Sequence, residues 1–275
     1  MAATVVRISG PDDPRVAEYR DLADHDRLRA RGLFVAEGRT VCERLIGDGR
    51  FLVRSLLLNA AAWRALEAQC AGLNADVTAF VCETHDFEGL TGYNFHRGCL
   101  ALASRPPVVP LDDLVAHARS LVVLEDVANV DNIGSVFRNA AAFGVDGVVL
   151  SAGCGDPLYR KAIRTSMAAT LRVPFATAAG GDGWHAALVR LRDEGFQIVA
   201  LTLRERVLDL ETFASSHRAD RFALLVGTEG AGLSAAAEAA ADVHVHIPIH
   251  EDVDSLNVSV ATGIALHRLM TPDAG

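Results

Sequence analysis

Lysine is nearly absent from this sequence: Lys161 is the single lysine among 26 basic residues, and the formal net charge is −9. A protein that coats nucleic acid without specificity needs concentrated positive charge, so this composition argues against that class while leaving room for a local basic patch. Long apolar runs are absent as well, since no stretch approaches the roughly 18 uncharged residues of a spanning helix. We therefore expect no membrane span.

Cysteine pairs and an apolar leader are also missing. The five cysteines are odd in number and never stand as Cys-x-x-Cys, which favours reduced, mostly buried thiols over a disulfide framework or a zinc site. The first thirty residues carry several charged side chains in place of an apolar signal core. A cytoplasmic location is therefore the expectation.

A proline-rich seam divides the chain. Pro106, Pro107 and Pro110 cannot continue a helix or a central strand, and they predict a stiff linker at residues 105–111. We expect one domain at residues 1–104 and a second at residues 112–275.

Apolar runs typical of buried strands alternate with helical patterns in the second domain. This alternation predicts an α/β fold with a mainly parallel sheet, whose ligands bind beyond the carboxyl ends of the strands. The predicted strands are Leu121–Leu124, Gly147–Leu150, Gln197–Leu201, Phe222–Val226 and Val243–Ile247. The predicted helices are about Ile133–Phe143, Tyr159–Ala169, Trp184–Glu194, Ala235–Ala241 and Ser259–Met270.

The first domain has a mixed pattern that predicts a small α/β fold. Helices are predicted at Pro14–Leu28 and Arg39–Ile46, and strands at Leu52–Leu58, Val77–Val81 and Gly98–Ala103. Its arginines form a candidate RNA-facing patch, although each of them alone is typical of a solvated surface. The patch comprises Arg27, Arg29, Arg31, Arg39 and Arg97.

The first of three informative segments, Asn129–Ala140, follows the first predicted strand of the second domain. Asn132 is suited to be the N-cap of the helix and Gly144 to end it. Arg138 lies off the apolar stripe and tilts back towards the helix N-terminus. An arginine near a helix N-terminus can bind an anion such as an RNA phosphate. The alternative is an ordinary surface arginine.

The second segment, Leu224–Leu233, places Glu229 among three glycines directly after a buried strand. Glycine lets the backbone approach a ligand closely and adopt positive φ. The spacing matches neither the dinucleotide fingerprint nor the phosphate loop. Alone, this turn indicates no particular ligand.

The third segment, Ile247–Ala261, runs from a strand through an acidic loop into the final helix. Ser255 or Asn257 is suited to cap that helix. His244 and His246 share one face of the preceding strand, but no second ligand cluster accompanies them. We therefore expect no metal site.

Together the three segments resemble the SpoU/TrmH branch of the SPOUT class of RNA ribose methyltransferases. The family motifs Asn-x-Gly-x-x-x-Arg-x-Ala, Gly-x-Glu-Gly-x-Gly-Leu and Ile-Pro…Ser-Leu-Asn-Val-Ser stand here at Asn132–Ala140, Gly227–Leu233 and Ile247–Ser259. In the first domain, Phe34–Gly38 and Arg97–Leu102 resemble the family's L30-like substrate-binding extension. Each motif is weak alone, but the order and spacing of the three are specific.

The resemblance implies a trefoil-knotted, mainly parallel sheet with helices on both faces, preceded by an L30-like domain. It further implies S-adenosylmethionine as cofactor, ribosomal or transfer RNA as substrate, a ribose 2′-hydroxyl as methyl acceptor, and a homodimer. The dimer would use the first and last helices of the second domain. The apolar face expected on the last helix comprises Ala261, Ile264, Ala265 and Leu269.

The resemblance also implies site residues. The positions that match the family's catalytic residues are Asn132, Arg138, Glu229, Ser255 and Asn257. The positions that match cofactor contacts are Gly227, Thr228, Gly230, Ile247, Ile249 and Leu256, and Thr202, after the Gln197–Leu201 strand, is added to them. Some positions depart from the family pattern, which leaves the details of cofactor fit open: Thr228, Ile249, Ala168 and Glu251–Asp252.

Arg138 is the family's proposed general base, but a guanidinium stays protonated in proteins. We prefer the hypothesis that Arg138 binds the phosphate next to the target ribose and stabilises the developing alkoxide. Two rival functions remain. One is a noncatalytic RNA-binding member of the family, and the other is a nucleotide-dependent oxidoreductase, which would lack its glycine fingerprint after the first strand.

Overall fold

A computed structural model describes residues 3–10, 12–20, 22, 24–87, 98–203 and 207–270. Arg97, which belongs to the predicted basic patch, lies outside these residues. The chain forms two compact units, one of residues Met1–Pro107 and Leu158–Ala168, the other of Val108–Pro157 and Ala169–Gly275. Within the described ranges, no helix is both long and apolar enough to cross a bilayer.

The first unit is built on a five-stranded mixed sheet. Its strands are β1 (Thr4–Arg7), β2 (Leu33–Glu37), β3 (Val53–Asn59), β4 (Thr78–Cys82) and β5 (Cys99–Ser104), in the order β1-β4-β3-β5-β2. β4 runs parallel to β1 and β3, whereas β5 runs antiparallel to β3 and β2. The helices are α1 (His25–Ala30), α2 (Arg39–Asp48) and α3 (Ala60–Cys70), after a 3₁₀ helix at Pro14–Tyr19.

The predicted helix over Pro14–Leu28 is wrong in one respect, because the chain forms two helical pieces there. The 3₁₀ helix ends at Tyr19, and α1 starts afresh at His25. The Asp24 carboxylate accepts a hydrogen bond of 2.9 Å from the Arg27 backbone N–H, which is the usual way to begin a helix.

Residues Leu158–Ala168 belong to the first unit, although they come late in the sequence. Their short helix, Arg160–Thr165, is held by a buried carboxylate at the end of β2. Arg160 Nη1 and Arg164 Nη1 each donate to one oxygen of Glu37, over 3.1 and 3.0 Å. Because Glu37 is only 4% exposed and the Arg160 side chain 12% exposed, removing the charge of Glu37 would leave the Arg160 cation without its partner in a poorly solvated place.

The second unit is built on a seven-stranded, entirely parallel sheet. Its strands are β6 (Ser120–Leu124), β7 (Gly147–Leu150), β8 (Phe175–Thr177), β9 (Gln197–Leu201), β10 (Leu208–Asp209), β11 (Phe222–Val226) and β12 (Val243–His246). The order is β10-β12-β9-β11-β6-β7-β8. The helices are α4 (Leu111–His117), α5 (Val130–Phe143), α6 (Asp182–Asp193), α7 (Leu210–Ser216), α8 (Ala235–Ala240) and α9 (Val258–Met270). The predicted mainly parallel α/β fold is confirmed.

The central strands of this sheet are buried on both faces. β6, β7 and β11 are buried at every residue, as expected for parallel strands covered by helices. β6 and β11 pair from Ser120 with Phe222 to Leu124 with Val226. Their carboxyl ends are therefore level, and the turns that follow them emerge at the same edge of the sheet.

Two details of the helices differ from prediction. Asn129, and not Asn132, caps α5 by accepting a hydrogen bond from Asp131 N, because the helix starts earlier than the apolar pattern indicated. Gly144 ends this helix with a φ of 74°, as predicted. In α9, Ala265 and Leu269 are buried within the chain, so this part of the predicted dimer face is wrong. Ile264 is exposed.

The five cysteines are all free thiols, and only Cys154 is less than fully buried. Burial raises the pKa of Cys70 to about 11 and that of Cys82 to about 12. Cys70 and Cys82 are therefore protonated at neutral pH, and the cysteines are mostly buried, as predicted.

Candidate active site

A cavity of about 370 Å³ lies at the carboxyl edge of the seven-stranded sheet. Four parts of the chain line it: residues 201–203 at the end of β9, residues 226–233 at the end of β11, Glu238 of α8, and residues between 247 and 261 in the loop after β12 and the start of α9. Parallel strands of one sheet end at one edge, which is why turns distant in the sequence meet here. All seven residues predicted to contact the cofactor line this cavity: Thr202, Gly227, Thr228, Gly230, Ile247, Ile249 and Leu256.

The turn after β11 needs its glycines for two different reasons. A Cβ on Gly227 would lie 2.3 Å from the backbone carbon of Gly232, so no side chain fits there. Gly230 and Gly232 have φ angles of 87° and 72°, which L-residues with side chains rarely adopt. The turn closes on itself through a 3.0 Å hydrogen bond from Gly232 N to Thr228 O. The cavity wall here is consequently backbone with few side chains.

Asn257 is the centre of a polar cluster beside the cavity. Its amide nitrogen Nδ2 donates to Asn132 Oδ1 over 3.0 Å and to Glu229 Oε1 over 2.7 Å. Its carbonyl oxygen Oδ1 accepts from the backbone N–H and the hydroxyl of Ser259, over 3.0 and 2.6 Å. Asn257 thus caps α9, as predicted for Ser255 or Asn257, and joins residues from all three motif segments.

Asn132 has a different task from the one expected. It sits in the first turn of α5, is 7% exposed, and presents its side-chain oxygen to Asn257. A cap residue would have turned this oxygen to its own helix. Because Asn129 takes the cap, Asn132 is free to link α5 to the start of α9.

The five predicted catalytic residues are only partly brought together. Glu229 and Ser255 line the cavity, and Asn132 and Asn257 lie in the polar cluster that includes Glu229. Arg138 is on α5 with an exposed side chain. Within the described part of the chain it neither lines the cavity nor forms a hydrogen bond or ion pair.

The predicted basic patch lies in the first unit. Arg27 and Arg29 are exposed in the last turn of α1, and Arg31, just after it, pairs with Glu18. Arg39 begins α2 and borders a second cavity, of about 290 Å³. Among the described residues, no group of three or more His, Cys, Asp or Glu is placed to hold a metal ion.

Sequence reasoning missed one buried acid at the site, Glu125. It follows β6 directly and is 4% exposed, and its carboxylate accepts hydrogen bonds from Trp184 and Ser234. An acidic residue after an apolar strand predicts the start of a solvated loop, so nothing in the sequence indicates that Glu125 is buried.

Comparison with known proteins identifies the family of this chain. The model of the SpoU rRNA methylase family matches residues 119–267. A relative named as an uncharacterized tRNA/rRNA methyltransferase of Mycobacterium tuberculosis is 38% identical over 265 residues, covering 95% of this chain and 90% of the relative. The 23S rRNA (guanosine(2553)-2′-O)-methyltransferase of Bacillus subtilis is 28% identical, covering 96% of this chain and 98% of that protein.

A solved structure shares the fold. The AdoMet-bound rRNA methyltransferase of Sinorhizobium meliloti superposes with a TM-score of 0.78 at 24% identity, over 96% of this chain and 97% of the other. The fold and the cavity define an α/β protein with a small-molecule site at the carboxyl edge of a parallel sheet. The family match spans more than half of the chain and narrows this class of protein to one family. The chain belongs to the SpoU rRNA methylase family, as the resemblance predicted.

Proposed function

We propose that this chain transfers a methyl group from S-adenosylmethionine to a ribose 2′-hydroxyl of ribosomal or transfer RNA. Family membership supports the class of reaction, and the Bacillus relative's name states a 2′-O-methylation of 23S rRNA. The observation that carries the proposal is a cavity lined by the second and third motif segments, beside the Asn257 cluster, which adds Asn132 from the first segment.

The cavity is suited to S-adenosylmethionine, which contains an adenine nucleoside. Its volume of about 370 Å³ falls within the range of small-molecule sites, roughly 300–1,000 Å³. The turn Gly227–Gly232 offers backbone donors and acceptors for the polar edge of an adenine, while Ile247, Ile249 and Leu256 offer an apolar surface for its faces. We assign cofactor binding to these residues together with Thr202.

Bound S-adenosylmethionine supplies a methyl group on a positively charged sulfur. In the transfer, a bond forms between the ribose 2′-oxygen and the methyl carbon as the carbon–sulfur bond breaks. S-adenosylhomocysteine leaves, and the hydroxyl proton passes to a base. The protein's contribution is to align the oxygen and to stabilise the charge that develops on it.

We assign that stabilisation to Arg138; because Arg138 does not line the cavity of its own chain, the bound RNA has to extend from the cavity to α5. A guanidinium can bind a phosphate with two parallel hydrogen bonds and can donate a further one to a developing alkoxide. Arg138 is exposed and makes no bond within the described residues, so its donors are available to RNA. The cluster of Asn132, Asn257 and Glu229 would hold the start of α5 and the cavity wall in fixed positions.

We further propose that the protein acts as a homodimer through α5 and α9. On α9, Val260 and Ile264 are 50% and 39% exposed, which leaves an apolar strip for a second copy. Replacing both with glutamate should convert dimer to monomer in sedimentation analysis. Dimers that persist in that variant would rule out this face.

For the first unit we propose RNA binding through Arg27, Arg29, Arg31 and Arg39, with Arg97 as a further candidate. The L30-like character of this unit, the trefoil knot of the second and a cytoplasmic location belong to the same proposal. The resemblance of the motifs supports the first two, and the similarity to an rRNA methyltransferase of Bacillus subtilis supports the third.

The test is to incubate the protein with labelled S-adenosylmethionine and total RNA from a strain that lacks it. After digestion, nucleoside mass spectrometry should find the label on a ribose. Label on a base would remove the 2′-O assignment. Binding of S-adenosylmethionine without transfer to any RNA pool would favour a noncatalytic RNA-binding member.

A further inference from the structure

Glu125 places a buried carboxylate next to the cavity without lining it. It is 4% exposed and directly follows β6 in the sequence. A buried carboxylate needs several hydrogen-bond donors or a cation to offset the loss of water. The residues that donate hydrogen bonds to the Glu125 carboxylate show which parts of the chain this side chain holds in place.

The Glu125 carboxylate accepts three hydrogen bonds from two residues. Oε1 accepts from the Trp184 indole Nε1–H over 2.7 Å and from the Ser234 hydroxyl over 2.8 Å. Oε2 accepts from the Ser234 backbone N–H over 2.7 Å. Trp184 is in the first turn of α6, and Ser234 caps α8. One side chain therefore joins the starts of two helices.

The backbone of Glu125 is hydrogen-bonded to the chain on the other side of the turn 227–233. Its backbone N–H donates to Val226 O over 2.9 Å, and Val226 is the last residue of β11. The turn of residues 227–233 runs from Val226 to Ser234, so both of its ends are bonded to Glu125. All seven residues of this turn line the cavity.

We infer that Glu125 is a positioning residue that sets the shape of the methyl-donor site by fixing both ends of the turn 227–233. This inference rests on the proposed function, in which the turn binds S-adenosylmethionine. A turn rich in glycine has little stiffness of its own. Its shape must come from its ends, from the internal bond between Gly232 and Thr228, and from the bond that Glu229 accepts from Asn257.

The main test variant is Glu125→Gln, which keeps the size of the side chain. Glutamine has one acceptor oxygen, and its amide N–H groups would meet a donor on at least one side. Loss of a charge-assisted bond of this kind should raise the dissociation constant for S-adenosylhomocysteine about tenfold. Amide hydrogen exchange in residues 227–233 should rise, whereas the KM for RNA should stay unchanged.

Asp146→Asn is the matched control. Asp146 accepts the same number of bonds, from Arg119 N, Ser120 N and the Ser120 hydroxyl over 2.8, 2.9 and 3.0 Å, but at the opposite end of β6. We expect this variant to lower the melting temperature while leaving the dissociation constant and the exchange of residues 227–233 unchanged. Trp184→Phe, which removes one donor and keeps the packing, should raise the dissociation constant about threefold.

Wild-type affinity and wild-type exchange in the Glu125→Gln variant would overturn the inference. Equal loss of affinity in Asp146→Asn, compared at the same folded fraction, would overturn it too, because the effect would then be one of general stability. If Glu125→Gln does not fold, Trp184→Phe decides. If the wild-type protein binds no S-adenosylmethionine or S-adenosylhomocysteine, the proposed function fails, and the exchange data alone decide whether Glu125 holds the turn.

Discussion

The amino and carboxyl edges of the seven-stranded sheet both carry polar side chains, but these side chains bond to different partners. At the amino edge, Arg221 donates to the carbonyl oxygens of Val115, Ala118 and Glu194 over 2.8, 3.2 and 2.6 Å. Its guanidinium also lies 4.3 Å from the ring centroid of Phe196. Three of the five guanidinium N–H groups of Arg221 are thus bonded to carbonyl groups of the fold.

At the carboxyl edge, polar side chains bond to one another around open space. Asn257 joins Asn132 to Glu229, and Glu125 bonds both ends of the glycine turn. Glu229 of this cluster and the glycine turn line the cavity. Similar residue types therefore stabilise the fold at one edge and shape a binding site at the other. Substitutions at the amino edge should therefore lower the free energy of unfolding, whereas substitutions at the carboxyl edge should lower donor affinity or turnover.

The largest effect is expected at the amino edge, from Arg221→Ala. Three carbonyl groups at helix ends would lose their donor, which should lower the free energy of unfolding by about 4 kcal/mol. Urea unfolding followed by circular dichroism measures this. Arg221→Lys, which can reach only some of the carbonyls, should lose about half as much. Loss of donor affinity in the folded fraction would contradict the separation of the two edges.

Arg138→Ala is the opposite case, because Arg138 makes no hydrogen bond or ion pair with the part of the chain that the structure describes. Its turnover at saturating RNA should fall about 100-fold, equivalent to about 2.7 kcal/mol of transition-state stabilisation, while its melting temperature stays that of the wild type. Arg138→Lys should recover little of the rate, because an ammonium cannot make paired bonds to a phosphate. A lysine variant that keeps most of its turnover would make the two-bond role wrong.

Asn257→Asp tests the polar cluster. Aspartate still caps α9 but cannot donate to Asn132 or Glu229, and at pH 8 it places two carboxylates against each other. Affinity for S-adenosylhomocysteine should fall roughly 30-fold, or about 2 kcal/mol. Repulsion raises the pKa of one carboxyl, so below that pKa a proton bridges the pair and the loss should shrink. Calorimetry at pH 5 and pH 8 measures this.

Asn257→Ala is the control for the pH effect, because it removes the cap and both donated bonds without adding a charge. Its loss of affinity should be the same at both pH values. An equal loss at pH 5 and pH 8 in Asn257→Asp would show that Glu229 does not face this position.

The smallest effect is expected within the glycine turn. Gly227→Ala puts a methyl group against the backbone of Gly232 and should weaken donor binding about tenfold, or about 1.4 kcal/mol. Gly230→Ala meets nothing within 4 Å and adds only the strain of a positive φ, roughly 1 kcal/mol. Thermal unfolding and calorimetry on both variants separate these causes. Equal loss of affinity would mean that the close contact at Gly227 does not shape the cavity.

Much of the second unit could be predicted because its central strands are continuous apolar runs. Gly147–Leu150, Gln197–Leu201 and Phe222–Val226 have the predicted bounds. Short edge strands such as β8 and β10 were missed, since three residues and two residues are too few to show a pattern. The helix α4 was missed because it follows the proline seam at once.

The site was predictable as a set of motifs but not as an arrangement. Two asparagines, Asn129 and Asn132, lie three residues apart, and either could cap α5. Only the position of Asn257, far along the chain, decides that Asn132 turns away from its own helix. The tie from Glu125 to Ser234 likewise joins residues 109 apart, which local patterns cannot show.

The methyl donor should bind at the carboxyl edge of the seven-stranded sheet alone. Amide hydrogen exchange of the wild-type protein, with and without S-adenosylhomocysteine, tests this directly. We predict slower exchange in residues 201–203, 226–233 and 247–258, and no change around Arg119, Asp146 and Arg221. Protection at the amino edge, or in only one of the three segments, would contradict it.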